Sequence, residues 1–163
     1  MTFRAYIVED SSTIRDNLIE TLKELAQVEP VGTTESEHDA KRWLAQNAWD
    51  LAIIDLFLRE GSGMNVLDAC RSRAAGQKVV VLSNHSSRDV RWRCMQLGAD
   101  AVFDKSTELE ALMDYCKRLR EQTEGAGASA TAPASALPAA CSAWAPGRPP
   151  NPGSGRRWSR CAS

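Results

Sequence analysis

Five short apolar runs alternate along this sequence with longer segments in which apolar residues recur at helical spacing. Short runs rich in β-branched residues are typical of strands buried on both faces of a parallel sheet, and the longer period is typical of amphipathic helices. The most apolar run, at residues 51–54, is followed directly by Asp55. The pattern predicts strands at residues 3–8, 30–32, 51–54, 78–82 and 101–103.

Helices are predicted in the intervals between these strands and after the last one. Three of them are expected at residues 36–47, 64–74 and 87–97. A first and a last helix are indicated by apolar residues that repeat on one helical face. The residues expected to face the core from these two helices are Ile14, Leu18, Leu22 and Leu25, and Leu109, Leu112, Met113, Cys116 and Leu119.

Short polar motifs indicate where the last two helices begin. Ser86 with Asp89, and Thr107 with Glu110, have the spacing of an N-terminal cap, in which a hydroxyl and a carboxylate bond main-chain amides. The strands and helices then alternate along the whole folded part. Strict alternation predicts an α/β fold with a parallel sheet, right-handed crossovers and helices on both faces.

Composition divides the 163-residue chain into two unlike parts. All 21 acidic residues and 16 of the 20 basic residues lie before residue 125, which gives this part a formal charge of −5 and the remainder +4. From residue 125 onward, 28 of 39 residues are Ala, Gly, Pro or Ser. Such a segment buries too little apolar surface to offset its ordering entropy. We therefore predict a folded domain at residues 1–122 and a disordered basic tail at residues 123–163.

The five cysteines are widely spaced and include no C-x-x-C pair. This spacing argues against a disulfide framework and against a zinc site. No apolar run approaches 18 residues, and charged residues interrupt the start of the chain, so neither a membrane span nor a signal peptide is indicated. We expect a soluble cytoplasmic protein.

Four of the five predicted strands end in a charged or reactive side chain: Glu9 with Asp10, Asp55, Ser83 and Lys105. Because parallel strands end at one edge of the sheet, we expect these side chains to meet there. Carboxylates without His or Cys nearby are suitable ligands for Mg²⁺. A carboxylate that attacks phosphorus needs a metal and a cation to neutralise the phosphoryl oxygens. Asp55 is the expected nucleophile, Glu9 and Asp10 hold the metal, Lys105 supplies the cation and Ser83 a hydroxyl donor.

With these residues in this order, the sequence resembles the receiver domain of two-component response regulators. The resemblance covers residues 3–121 and includes Gly63, eight positions after Asp55, and the turn at residues 97–100. It implies a flavodoxin-like doubly wound (βα)5 fold with five parallel strands in the order 2-1-3-4-5. It also implies a phosphoprotein that works in a phosphorelay.

The resemblance assigns a role to each residue at the predicted edge. Asp55 looks like the phospho-acceptor, which takes a phosphoryl group from a histidine kinase or a histidine phosphotransfer protein. Ser83 resembles the switch hydroxyl, and Lys105 resembles the lysine that pairs with the phosphoryl oxygens. The implied Mg²⁺ ligands are Glu9, Asp10, Asp55 and the main-chain carbonyl of Phe57.

Several positions depart from the family pattern or bear on phosphoryl lifetime. The family commonly has an aromatic switch residue three positions before the lysine, where this chain has Val102, and a proline after the lysine, where it has Ser106. Phe57 and His85 resemble the pair that flanks the path of attacking water, so a bulky Phe57 is expected to hinder it. Trp92 falls on a helix that usually belongs to the output face.

The favoured interpretation is a signalling switch, not a conventional enzyme, whose phosphorylation changes a protein-binding surface. The alternative is a receiver fragment of a transcription regulator that lacks its DNA-binding domain. The tail has no helix-turn-helix pattern, so specific nucleic-acid binding is not expected. A phosphatase of the haloacid dehalogenase type would need a second acid two residues after the nucleophile, where Phe57 stands. The downstream partner and the formation of a homodimer are left open.

Overall fold

The computed structural model describes residues 2–84 and 86–128, the last three by their backbone alone. Its strands are β1 Arg4–Val8, β2 Glu29–Thr34, β3 Leu51–Asp55, β4 Lys78–Ser83 and β5 Ala101–Asp104. They form one parallel sheet with the order β2-β1-β3-β4-β5. The predicted flavodoxin-like doubly wound fold is therefore confirmed.

Helices connect the strands and cover both faces of the sheet. Within the described residues they are α1 Ser12–Thr21, α2 Glu37–Gln46, α3 Gly63–Ala69, α4 Arg88–Gln96 and α5 Leu109–Ala128. A π-helical turn at Leu22–Ala26 continues α1. Because this wider turn shifts the helical phase, Ala26 is buried and Leu25 is exposed. The predicted inward position of Leu25 is therefore wrong.

Two further expectations about the helices are wrong for local reasons. Leu109 is exposed because it is the first residue of α5, where it borders a groove between α1 and α5. The third helix ends at Ala69, earlier than predicted. The guanidinium of Arg73 donates to the main-chain oxygens of Cys70 and Gln77, which stabilises a turn where the helix was expected to continue.

The two predicted caps are each displaced by one residue. The hydroxyl of Ser87, not Ser86, accepts from the amide of Val90 at the start of α4. The last helix begins at Leu109, so its cap position is Glu108, not Thr107. The Ser86 hydroxyl instead donates to a carboxylate oxygen of Asp104.

The sheet separates two apolar clusters because successive side chains of a strand point to opposite faces. All five residues of β3 are buried. Its Leu51 and Ile53 pack in the cluster that includes residues of α1 and α5, and its Ala52 and Ile54 pack in the cluster that includes residues of α2, α3 and α4. A strand buried in this way fixes Asp55 at the carboxyl edge with little freedom to move.

Gly63 brings the start of α3 against the end of β3. Its amide donates to the main-chain oxygen of Leu56 at 3.1 Å. A Cβ atom at this position would overlap the main-chain oxygen of Asp55. Only glycine therefore allows the helix to begin so close to the strand that carries the acid.

The predicted tail lies mostly outside the described residues. Residues 123–128 are the last part of α5, and residues 129–163 are not described. The division of the chain at residue 122 stays a prediction. In the described part of the chain, no helix is both long enough and apolar enough to cross a membrane.

We expect Gly63→Ala to lower the free energy of unfolding by about 1–3 kcal/mol or more, because the added Cβ forces α3 away from Asp55. Chemical denaturation measures this loss. Gly76→Ala is the matched control, since nothing lies within 4 Å of a Cβ at Gly76, and its change should stay below about 1 kcal/mol. Equal stability of the two variants would contradict the close contact.

Candidate functional site

The carboxyl edge of the sheet gathers the side chains that the sequence singled out. In the part of the chain that the structure describes, the buried polar side chains are those of Glu9, Asp55, Ser83 and Lys105. They come from the ends of β1, β3, β4 and β5, and Asp10 lies beside Glu9, partly exposed. Buried polar groups are rare in an apolar core unless they are paired or functional.

Lys105 connects the two buried carboxylates. Its Nζ lies 2.6 Å from Oε2 of Glu9 and 2.8 Å from Oδ2 of Asp55. Its main-chain amide also donates to the main-chain oxygen of Ser83 at 3.0 Å. The residue after β5 therefore bonds to residues from β1, β3 and β4, and it holds the edge together.

Main-chain amides orient the other oxygen of each buried carboxylate. The amide of Ser11 donates to Oε1 of Glu9 at 3.1 Å, and the amide of Phe57 donates to Oδ1 of Asp55 at 3.2 Å. In each carboxylate, one oxygen thus accepts a hydrogen bond from an amide and the other forms an ion pair with Lys105. Such bonds fix the rotamer of an acid as well as compensating its burial.

Burial and the ion pairs at this edge act in opposite directions on the pKa values of Lys105 and Glu9. Burial acts to lower the pKa of Lys105, but the bonds to Asp55 and Glu9 outweigh it, so the pKa lies above its ordinary value. Burial also raises the pKa of Glu9, and the Lys105 ammonium offsets this only in part. Lys105 is therefore charged at neutral pH.

Glu9, Asp10 and Asp55 have the geometry and chemistry of a magnesium site. One carboxylate oxygen from each lies within 4.8 Å of the other two. The set contains oxygen donors alone, as Mg²⁺ prefers. Three carboxylates and the Lys105 ammonium carry a formal charge of −2, which one divalent cation balances. These residues fit Mg²⁺.

A positively charged side chain that the sequence pattern did not indicate, that of Arg59, also lies close to these three acids. The guanidinium of Arg59, on the loop after β3, lies 3.5 Å from Oδ2 of Asp10 and is largely exposed. Residues in loops show no apolar periodicity. The only sequence feature that could have indicated a role for Arg59 was therefore its position four residues after Asp55.

The loop between β3 and α3 is bound to α2 through Glu37. Its Oε2 accepts from the amide of Ser62 at 2.8 Å and from the side-chain amide of Asn65 at 3.1 Å, and its Oε1 pairs with Lys41 at 2.6 Å. These bonds, that of Lys41 foremost, lower the pKa of Glu37 to about 2. One carboxylate therefore fixes the loop that leaves Asp55.

The turn after Lys105 is held by hydrogen bonds where the family commonly has a proline. The hydroxyl and the amide of Ser106 both donate to Oδ1 of Asp104, at 2.5 and 2.8 Å. They are the main reason that the pKa of Asp104 falls to about 2. A serine-to-aspartate turn thus takes the structural place of a rigid ring.

Most of the remaining positions noted in the sequence are either packed in the core or exposed to solvent. Val102 is buried on the α4 side of the sheet, and Phe103 packs on the opposite face with its ring 5.7 Å from that of Tyr115. Phe57, beside Asp55, is 60% exposed, and Trp92 on α4 is 65% exposed. His85 lies outside the described residues.

Comparison with known proteins identifies the domain. The model of the response regulator receiver domain matches residues 5–117. The virulence transcriptional regulatory protein PhoP of Salmonella choleraesuis is 26% identical over 122 residues, which are 75% of this chain and 54% of PhoP. A protein-glutamate methylesterase/protein-glutamine glutaminase of Myxococcus xanthus is 31% identical over 139 residues, 83% of this chain and 40% of that protein.

Solved structures agree on the fold. The signal receiver domain of a DNA-binding response regulator from Colwellia psychrerythraea superposes with a TM-score of 0.66 at 24% identity, covering 73% of this chain and 98% of that one. The chain thus matches a whole receiver domain, whereas it spans about half the length of the curated relatives or less.

We expect Lys105→Met to lower the free energy of unfolding by about 3–5 kcal/mol in metal-free buffer at pH 7. The reason is that it leaves two buried carboxylates without their cation. Chemical denaturation measures the loss. In Lys117→Met, which removes an ammonium lying 3.9 Å from Asp114 on the surface, the change should stay below about 1 kcal/mol. Comparable losses in both variants would contradict a structural role for the Lys105 pairs.

Glu37→Gln should remove a pH-dependent contribution to stability. Because folding lowers the pKa of Glu37 from 4.5 to about 2, its contribution is fully present above pH 4.5 and disappears as pH falls toward 2. Unfolding curves of wild type and variant should therefore differ at pH 6 and converge at about pH 2. A difference that stays constant across this range would contradict the bonding of the charged carboxylate.

Proposed function

The chain belongs to the response regulator receiver domain family, and we propose that it accepts a phosphoryl group on Asp55 in a Mg²⁺-dependent reaction. The donor is a histidine kinase or a histidine phosphotransfer protein, and the product is a switch with a changed protein-binding surface. The observation that carries the proposal is the buried contact of one lysine with two acids: Lys105 with Glu9 and with Asp55.

In the proposed reaction, a carboxylate oxygen of Asp55 attacks the phosphorus of a phosphohistidine. The new oxygen–phosphorus bond forms as the nitrogen–phosphorus bond breaks, and the imidazole keeps the electron pair and takes up a proton. Mg²⁺, when bound, would supply positive charge that offsets the negative charge of the reacting groups. The residues that would hold it are Glu9, Asp10 and Asp55, with the main-chain carbonyl of Phe57.

Lys105 and Ser83 are proposed to bind the oxygens of the phosphoryl group once it is on Asp55. The Lys105 ammonium, 2.8 Å from Oδ2 of Asp55, needs only a small movement to reach a phosphoryl oxygen on that acid. Ser83 ends the neighbouring strand, buried, and its hydroxyl is the proposed donor to a second phosphoryl oxygen. Both residues thus act as preorganised donors for charge that appears only on phosphorylation.

Phe57 is proposed to lengthen the life of the phosphorylated state. Its amide donates to Asp55 and its side chain is largely exposed, and the proposal is that this ring hinders the approach of an attacking water. An aromatic ring offers no hydrogen bond to orient that water. Phe57 also stands where a dehalogenase-type phosphatase needs an acid, so turnover on external phosphoesters is not part of the proposal.

The proposed output surface includes the outer face of α4, where Trp92 and Met95 are exposed one helical turn apart. An exposed aromatic residue beside an exposed methionine is typical of a protein contact site. The identity of the signalling partners, the cytoplasmic location and the formation of a homodimer stay predictions. None of these proposals includes binding to a specific nucleic acid or to a membrane.

A second candidate is a receiver portion of a transcription regulator. The specific observation in its favour is that this chain matches about half of PhoP, a transcriptional regulatory protein. The methylesterase relative, of which 40% is matched, couples a similar segment to a different activity. The receiver chemistry at Asp55 is the same under both candidates, so they differ only in the output.

Incubation with Mg²⁺ and acetyl phosphate should add one phosphoryl group to the wild-type protein and none to Asp55→Asn. Intact-mass spectrometry measures the adduct, and omission of Mg²⁺ should abolish it. Asp50→Asn is a suitable control, because Asp50 pairs with Arg4 at the opposite end of β3 and should leave the adduct unchanged. A phosphoryl adduct that persists in Asp55→Asn would contradict the assignment of the acceptor.

A further inference from the structure

The loop that follows Ser83 is held in place by four polar side chains, which we call the Arg91 cluster: Arg91, Ser86, Asp104 and Glu108. Nη2 of Arg91 lies 2.5 Å from Oε2 of Glu108 and 3.0 Å from Oγ of Ser86. The Ser86 hydroxyl also donates to Oδ2 of Asp104 at 3.1 Å. Four separate segments, the β4–α4 loop, α4, the end of β5 and the start of α5, are connected in this way.

The cluster also bonds the main chain on both sides of the loop. Nε of Arg91 donates to the main-chain oxygen of Ser86 at 3.2 Å, and its Nη1 donates to that of Val102 at 3.0 Å. Oε2 of Glu108 accepts from the amide of Asp104 at 2.7 Å. Ser86 is thus bound through both its side chain and its backbone.

This polar connection stands where the sequence departs from its family. Val102 is buried, and the ring of Phe103 packs on the other face of the sheet, so neither offers an aromatic ring that turns against α4. A polar contact between β5 and α4 is made by the guanidinium of Arg91, which donates to the main-chain oxygen of Val102. The Arg91 cluster therefore connects the segment that follows Ser83 to α4, and a movement of Ser83 would reach α4 through it.

We propose that the Arg91 cluster is a latch that holds the β4–α4 loop in its resting position and is released when Asp55 is phosphorylated. The inference rests on the proposed function of Asp55 and Ser83. Ser86 follows Ser83 by only three residues, so a shift of Ser83 toward a phosphoryl group on Asp55 draws the loop with it. Such a shift breaks the bonds of Ser86 to Arg91 and Asp104 and frees α4, which carries Trp92.

A latch that stabilises only the resting state opposes any ligand that favours the other state. Removing it should therefore tighten the binding of a phosphoryl mimic, although no residue of the cluster needs to touch that mimic. A residue that merely supports the fold would have the opposite effect or none. The sign of the change in affinity thus separates the two roles.

The test measures the affinity of the full chain for beryllofluoride, a phosphoryl mimic, in the presence of Mg²⁺, by ¹⁹F NMR. Arg91→Met should bind it about tenfold more tightly than wild type. Arg93→Met is the matched control: it removes the same charge from the same helix, its side chain is exposed, and its affinity should equal that of wild type. Glu108→Gln should tighten binding as well, but less, because the amide oxygen still accepts a hydrogen bond.

A second measurement detects the release without any ligand. Hydrogen exchange in metal-free buffer should be faster at residues 84–91 in Arg91→Met than in wild type, and unchanged there in Arg93→Met. Unfolding curves of the same variants check that each one is folded. The latch is refuted if Arg91→Met binds beryllofluoride no more tightly than wild type, or if its exchange at residues 84–91 matches that of wild type.

The two proposals fail in distinguishable ways. If wild type binds no beryllofluoride with Mg²⁺ present, the proposed function of Asp55 fails, and exchange at residues 84–91 still decides whether the cluster holds the loop. If wild type binds it and Arg91→Met binds it equally well, the receiver chemistry stands and the latch does not.

Discussion

This site depends on one interaction, the buried ion pairs of the Lys105 ammonium group with Glu9 and Asp55. Two carboxylates at the end of an apolar sheet are costly to bury as anions, and one shared cation offsets only part of that cost. The residual negative charge makes the edge receptive to a divalent cation. The same contact that lets the two acids be buried thus also leaves the negative charge that a divalent cation would balance.

The fold supplies this arrangement by bringing strand ends together. Residues distant in sequence meet because β1, β3, β4 and β5 are parallel neighbours and end at the same edge. Burial of β3 on both faces fixes Asp55, and the bare backbone of Gly63 lets α3 begin against it. Packing that stabilises the domain therefore also sets the geometry of the site.

The order of the strands in the sheet followed from the resemblance to the receiver family. Sequence patterns were sufficient for the alternation of strands and helices and for the residues that gather at the edge of the sheet, because strand ends and apolar periodicity are local features. They failed where the structure depends on a helical phase or on contacts between distant segments. The π turn displaced Leu25, and the hydroxyl of Ser86 bonded Asp104 instead of capping α4. Arg91 and Glu37 act across loops and helices, and such contacts leave no periodic signal in the sequence.

The most direct test of the account is a crystal structure of the chain with Mg²⁺ and beryllofluoride. Beryllium should be bonded to a carboxylate oxygen of Asp55, and the metal should be held by Glu9, Asp10 and Asp55. Lys105 should have moved from Asp55 to a fluorine, with the Ser83 hydroxyl on another. Beryllofluoride bound at a different residue, or Lys105 still paired with the Asp55 carboxylate beside it, would contradict the account.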